Sequence, residues 1–311
     1  MSELHHLWES TVTPDQIDGL GHMNTRYYSI NAQRASGRLL HELGMGSDYL
    51  ESGPDVLGFP DVYIRYHNEQ LEGAPLAVRG GVLDAHETSL RVYLELVNRA
   101  TEAVAATFVQ DVELQERGSR RPRRIPAEAR ARASAETVAI PGYAQPRTLS
   151  LDPPRTDVSM AALERRGLRL NAQPLLLTPE WCDEAGFLRI DDSNTLFMVV
   201  HGIRRDANKP MRDNNFRTRD GLLLGWAMME SRQVQVRLPR QGESVVSYQA
   251  HTLIHDKVHS TTRWIFQAES GELCAVMQTV TLAFDIDARR PIPIPEAERE
   301  DLLASYHPDL A

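Results

Sequence analysis

TPDQIDGLGHMN, residues 13–24, and TPEWCDEAGFLR, residues 178–189, decide how this chain is read. Thr13, Pro14, Asp18 and Gly21 recur as Thr178, Pro179, Asp183 and Gly186, all at an offset of 165. Asp15 meets Glu180 and Met23 meets Leu188. Further on, RPRRIP at 121–126 matches RPIPIP at 290–295, and Gly73 and His86 match Gly242 and His255, all at 169. An insertion of four residues between the two sets accounts for the change, and loops absorb such insertions at little cost. Ordered anchors of this kind are the mark of a duplicated unit.

Each copy carries the same order of elements. In the first, a strand over 5–13 leads through the Asp18–Gly21 turn into a helix from Thr25 to about Leu43. Tyr28, Ala32, Ala35, Leu39 and Leu43 step by fours and threes, which puts them on one buried stripe. Asn24 suits the N-cap and Gly44 the position after the C-cap. Strands are expected near 61–69, 74–86, 88–98 and 103–115, where TSLRVYLELV alternates as a half-buried antiparallel strand does. The second copy predicts a helix near Asn194–Arg205 and strands near 229–238, 243–254, 257–268 and 272–285. VSMAALERRG reads as a short helix leading into it.

The fold class is therefore α+β, one long helix and one antiparallel sheet, twice over. The divisions are a first domain at 1–126, a linker with little structure of its own at 127–157, a second domain at 158–295 and a helical tail at 296–311. Neither sheet covers its helix and both edges alone, so the copies are expected to pack as an internal pseudo-dimer.

Composition narrows the function. The 311 residues are 41% hydrophobic and 25% charged, as in ordinary globular proteins. The N-terminal stretch has no basic segment followed by an apolar core, and LLLGWAMM at 222–229 is too short to span a bilayer. Cys182 and Cys274 form neither a disulfide framework nor a metal spacing. These features predict a cytoplasmic protein without membrane insertion. A formal charge of −9 argues against a nucleic-acid partner. Against that balance, residues 117–132 carry seven arginines and one glutamate.

A strand, then D-x-x-G-H-hydrophobic-N, then a long helix and several antiparallel strands resembles the hotdog-fold acyl-CoA thioesterases. The 4-hydroxybenzoyl-CoA thioesterase-like branch is similar, in a tandem or double-hotdog form. The residues that carry the resemblance are Asp18, Gly21, His22, Met23 and Asn24, with Tyr28 on the next helical turn. Gln16 stands where the common motif has a second acid. The resemblance implies hydrolysis of a small-molecule acyl thioester to the free acid and coenzyme A, with no metal and no cofactor beyond the coenzyme A of the substrate.

Asp18 would act as nucleophile or general base, since a carboxylate is ionised near neutrality. Backbone N–H groups at the helix start, near Thr25, would stabilise the oxyanion, with His22 and Asn24 supporting. Each has a plainer reading as well: Asp18 as a turn residue, Asn24 as a helix cap, His22 as a loop hydrogen-bonder. Asp183 marks a second or degenerate site, because Phe187 and Arg189 replace His22 and Asn24.

Tyr28, Arg121, Arg123 and Arg124 are candidate substrate contacts, the arginines through coenzyme A phosphates. A solvated linker explains the arginines equally well. His86 and His255 fall at turns. His251, His255 and His259 lie in a hairpin, which argues against a metal there. An acyl-thioester hydratase or dehydratase and a non-catalytic acyl-CoA binder are the alternatives. Two fused copies can be complete alone or pair again as a homo-oligomer. The acyl group and the choice between coenzyme A and acyl-carrier protein stay open.

Overall fold

The computed structural model describes residues 3–45, 53–152, 154–170, 173–189, 217–218 and 221–310. The helix expected at 194–205 lies outside the described residues. The chain divides into two compact units, the first running to Gln145 and the second beginning at Pro146.

In the first unit β1 (His5–Thr11) precedes α1 (Thr25–Glu42). The strands β2 (Asp55–Gly58), β3 (Asp61–Tyr66), β4 (Pro75–Ala85), β5 (Ser89–Asn98) and β6 (Val104–Glu116) follow. They pair antiparallel in the order β1-β4-β5-β6-β3, with β2 also on β6. Helix α1 forms where its stripe predicts: Tyr28, Ala32, Ala35 and Leu39 are buried, and Leu43 is half-buried against the same core. That stripe packs on Val78, Val82, Leu90, Val92, Leu94 and Phe108 from alternate positions of β4, β5 and β6. A long helix held in the curve of an antiparallel sheet is the hotdog arrangement.

The second unit repeats the sheet. After α3 (Met160–Arg165; α2 is described below) come β7 (Leu175–Leu176), β8 (Leu224–Gln235), β9 (Ser244–Ile254), β10 (Val258–Gln267) and β11 (Leu273–Asp285). Their order, β8-β11-β10-β9-β7, mirrors the first unit, and β12 (Arg290–Pro291) pairs with β11. Helix α4 (Glu296–Leu303) closes the chain.

The duplication extends to single hydrogen bonds. Gly73 N donates to Val12 O at 2.9 Å and Gly242 N to Leu177 O at 2.8 Å. Met23 N reaches Gln70 O at 2.7 Å, and Leu188 N reaches Pro239 O at 2.9 Å. The hairpin bonds of His86 N to Ser89 O and His255 N to Val258 O are both 2.8 Å. Ile125 N to Glu87 O and Ile294 N to Asp256 O are also both 2.8 Å. Strand β8 begins earlier than the sequence pattern predicts because it continues through the positions of both β2 and β3. The four extra residues of the second copy therefore fall between 189 and 224.

The expectation of little structure over 127–157 is corrected. Ala127–Ala135 forms helix α2, whose Ala129 and Ala133, four residues apart, are buried in the first unit's core. Small side chains let α2 lie close to β4 without the large apolar stripe by which sequence patterns reveal helices. Beyond it the connector is held by buried charge. Glu95 on β5 is fully buried and accepts from Arg79 Nε at 2.8 Å, from Tyr93 Oη at 2.6 Å and from the Tyr143 hydroxyl. Arg65 Nη1 donates to Tyr143 O at 2.5 Å and Gln145 O at 2.8 Å. In the second unit the Glu230 carboxylate accepts the amides of Arg147, Thr148 and Leu149, and Arg232 Nη1 donates to Ser150 O at 2.7 Å.

Candidate active site

The 13–24 stretch folds as a tight loop stapled at both ends. Pro14–Gln16 makes one 3-10 turn, and Ile17 bridges Met23. Asp18 N donates to His22 O at 2.9 Å, and Gly21 N to Asp18 O at 3.0 Å. Gly21 takes φ +85°, a left-handed conformation that costs glycine little. Asn24 N donates to Gln16 O at 2.9 Å, which sets the first residue of α1 directly after the loop.

This geometry gathers four of the expected groups. The Asp18 carboxylate accepts Leu20 N at 2.9 Å, and its other oxygen lies 3.6 Å from His22 Nδ1. Both side chains are partly open to solvent. His22 Nδ1 is also 3.4 Å from Met23 O, while Nε2 faces Glu69 Oε1 at 3.7 Å. The imidazole thus stands between two carboxylates. Glu69, from the segment after β3, is a site residue that sequence reasoning missed. It shares no motif with Asp18, and only the register of the β3–β4 connection places it there.

Asn24 is a helix cap: its Oδ1 accepts Arg26 N at 3.0 Å, and its carbonyl accepts Tyr27 N at 2.9 Å. Thr25 is the first residue of α1, at the positive end of the helix dipole. Tyr28 is buried and donates through Oη to Asn68 O at 3.2 Å, edge-on to Tyr66. Burial, with the charges of Glu69 and Asp18 adding, holds its phenol well above the usual tyrosine range. Tyr28 stays a neutral donor.

Arg121, Arg123 and Arg124 are not brought to this loop. They follow the far end of β6, whereas the Asp18 side of the unit is tied to its beginning through Asn68 Nδ2 to Val104 O. About 33 Å of strand separates Ala105 from Gln115, at roughly 3.3 Å per residue. Arg123 pairs with Asp55 and Glu116, and Arg124 with Glu87.

The second copy keeps the loop and changes the residues around it. Asp183 N donates to Phe187 O at 2.8 Å, and Gly186 takes φ +78°. The Asp183 carboxylate accepts Ala185 N at 2.9 Å and Phe187 N at 3.0 Å. Phe187, in the place of His22, is buried under the Arg240 guanidinium at 4.4 Å. Leu238 stands where the first copy has Glu69, at the 169 offset. Two of the three hairpin histidines do meet: the rings of His251 and His259 lie 5.1 Å apart, with His255 away at the turn.

Residues 12–133 match the thioesterase-like superfamily. That segment contains the whole Asp18 loop, α1 and strands β2 to β6 of the first sheet. An acyl-ACP thioesterase from Bacteroides thetaiotaomicron shares the fold at 9% identity and a TM-score of 0.61, over 88% of this chain and 96% of that one. A 12:0-ACP thioesterase from Umbellularia californica does so at 10% identity and a TM-score of 0.58, over 91% and 93%. Both likenesses run through the two units. No curated protein matches the chain in sequence. Among the described residues no helix is long and apolar enough to cross a membrane.

Proposed function

We propose that the chain is a thioesterase that hydrolyses an acyl-CoA at the Asp18 loop. The observation that carries this reading is the juxtaposition of Asp18, His22 and Glu69 ahead of the α1 N-terminus, within the segment that matches the superfamily. Asp18 either takes a proton from water, which attacks the thioester carbonyl, or attacks directly to give a mixed anhydride that water then cleaves. In both routes the C–S bond breaks, the sulfur leaves as a thiolate and takes up a proton, and the acid is released. His22 is placed to carry that proton. The positive end of α1 at Thr25 favours the oxyanion, and Asn24 holds the helix start in position. Asp183 serves as a turn residue in a degenerate site. The arginines at 121–124 are not part of the proposed site.

A second reading concerns the carrier. Two of the solved structures similar over both units are named as acyl-ACP thioesterases. The chain's charge of −9 disfavours a strongly acidic carrier at long range, so coenzyme A is the proposed one.

Release of free thiol from a panel of acyl-CoA and acyl-carrier-protein thioesters tests both points. Thiol release is expected from acyl-CoA, with Asp18→Asn losing most of it. No release from any thioester refutes hydrolysis, and release from the carrier protein alone reverses the choice of carrier.

A further inference from the structure

Tyr93 and Glu95 alternate with the α1-facing residues of β5 and so belong to the opposite face of the first sheet. The 169 offset and the strand pairing put Thr262 and Trp264 of β10 at the same two positions of the second sheet. The layer on that face is duplicated too. Two 3-10 turns correspond, Gly142–Ala144 and Pro308–Leu310. Each is closed by one amide bond, Ala144 N to Pro141 O at 2.9 Å and Leu310 N to His307 O at 3.0 Å. Tyr143 thereby matches Asp309. In the first unit both phenols, Tyr93 and Tyr143, are engaged with Glu95. In the second unit both rings are gone, and Asp309 pairs instead with Arg166.

A large-to-small exchange in a packed layer leaves volume that its neighbours reclaim only in part. Here a cavity of about 120 Å³ lies between β10, β11, α3 and the last turn of the chain. Trp264, Val276 and Leu163, all buried, form its walls together with Val158 and Leu310. Thr262, 3% exposed, lines it beside its cross-strand partner Gln278. The Thr262 hydroxyl has no hydrogen-bond partner among the described residues. Arg155 and Arg166 stand at the exposed rim, and each is already paired with a carboxylate, Asp157 and Asp309. The space thus offers hydrocarbon walls and one idle hydroxyl, with its rim charges matched. In another protein an apolar cavity of about 150 Å³ takes up benzene.

We propose that this cavity of the second unit binds a small neutral phenol. The ring takes the space that tyrosine rings fill in the first unit and packs on Trp264, Val276 and Leu163. Its hydroxyl pairs with Thr262, and a buried hydroxyl left unpaired is costly. The walls also select against charge, because a carboxylate would lose its water to hydrocarbon, a cost that a neutral hydroxyl avoids. The site lies within the second unit and is independent of the Asp18 reading, since binding needs no thioester.

Calorimetric titration of the full chain with phenol, benzene and benzoate tests it. Phenol should bind, benzene several-fold more weakly for want of the hydroxyl, and benzoate weaker by about tenfold or more because it is charged. Thr262→Tyr installs the first unit's residue, fills the cavity and should abolish binding. Thr262→Val keeps the size of the side chain and removes only its hydroxyl, so it should weaken phenol several-fold and leave benzene unchanged. Circular dichroism checks that both variants are folded; if Thr262→Tyr does not fold, the near-isosteric Thr262→Val still decides. Failure of phenol to bind, or phenol binding unchanged in Thr262→Val, overturns the proposal and leaves ordered water as the partner of Thr262. Phenol binding that persists in folded Thr262→Tyr overturns it as well.

Discussion

At the scale of single residues, the duplication separates what the loop needs from what its chemistry needs. Asp18 and Asp183 both accept the amide two residues on, and Gly21 and Gly186 both take the left-handed turn. Those features are required twice and therefore belong to the loop. His22, Asn24 and Glu69 occur once, and His22 stands between Glu69 and Asp18, the only carboxylate of the pair that faces an imidazole among the described residues. The functional contrast follows. Under the proposed mechanism Asp18→Asn removes the base or nucleophile and should lower thiol release by about 10² or more, whereas Asp183→Asn should change it little. Equal losses from both would overturn the degenerate-site reading. His22→Phe installs the second copy's residue and should reduce kcat by about 10²-fold if the ring carries the proton. An unchanged kcat would leave His22 a loop residue. Asn24→Ala should cost about 1 kcal/mol in denaturant unfolding through loss of its cap.

At the scale of elements, the strands and α1 were legible because their apolar residues alternate or step with the periods of strand and helix. The N-cap at Asn24 and the left-handed Gly44, φ +86°, were legible for the same local reason. Helix α2 was not, because Ala129 and Ala133 bury it with methyl groups alone. The connector's anchors were equally silent: Glu95 meets Tyr143 from far along the chain, and no local pattern foretells a buried carboxylate. Of the candidate site, the Asp18–Asn24 cluster was legible as a motif. Glu69 and the remoteness of Arg121–Arg124 depend on strand register, which the motif does not carry. Glu95 gives this scale its own prediction. Truncating it leaves a buried hole and the buried Tyr93 hydroxyl without its acceptor, while Arg79 and Tyr143 are open to solvent, so Glu95→Ala should destabilise by about 2–3 kcal/mol. Tyr143→Phe removes one donor and should cost less, about 1 kcal/mol. Thermal unfolding of the two variants reads the difference; equal small losses would show that the carboxylate cluster does not hold the connector.

At the scale of the whole chain, two copies of one sheet have kept their hydrogen-bond register and parted in the side chains on one face. Register is set by backbone pairing and turns, so it survives exchanges such as Val82 for His251 and Leu90 for His259 at equivalent positions. The exchange leaves a mark on stability. His259 Nε2 pairs with Thr281 Oγ1 at 2.7 Å and its ring meets Trp226 edge-on, while His251 Nδ1 pairs with Thr261 Oγ1 at 3.2 Å and lies near Arg263. Burial first, and neighbouring positive charge second, lower both histidines from 6.5 to about 4 in the folded chain. Below pH 6.5 the unfolded chain therefore takes up protons that the folded chain refuses. Stability is full above that pH and is lost as pH falls toward about 4, by on the order of 3 kcal/mol per histidine. Carboxylates titrate over part of the same range, so the informative quantity is the difference between variants. His251→Val with His259→Leu restores the first unit's residues and should flatten the urea-unfolding stability between pH 6.5 and 4 relative to wild type. If the two slopes coincide, the paired histidines are not held neutral by the second sheet.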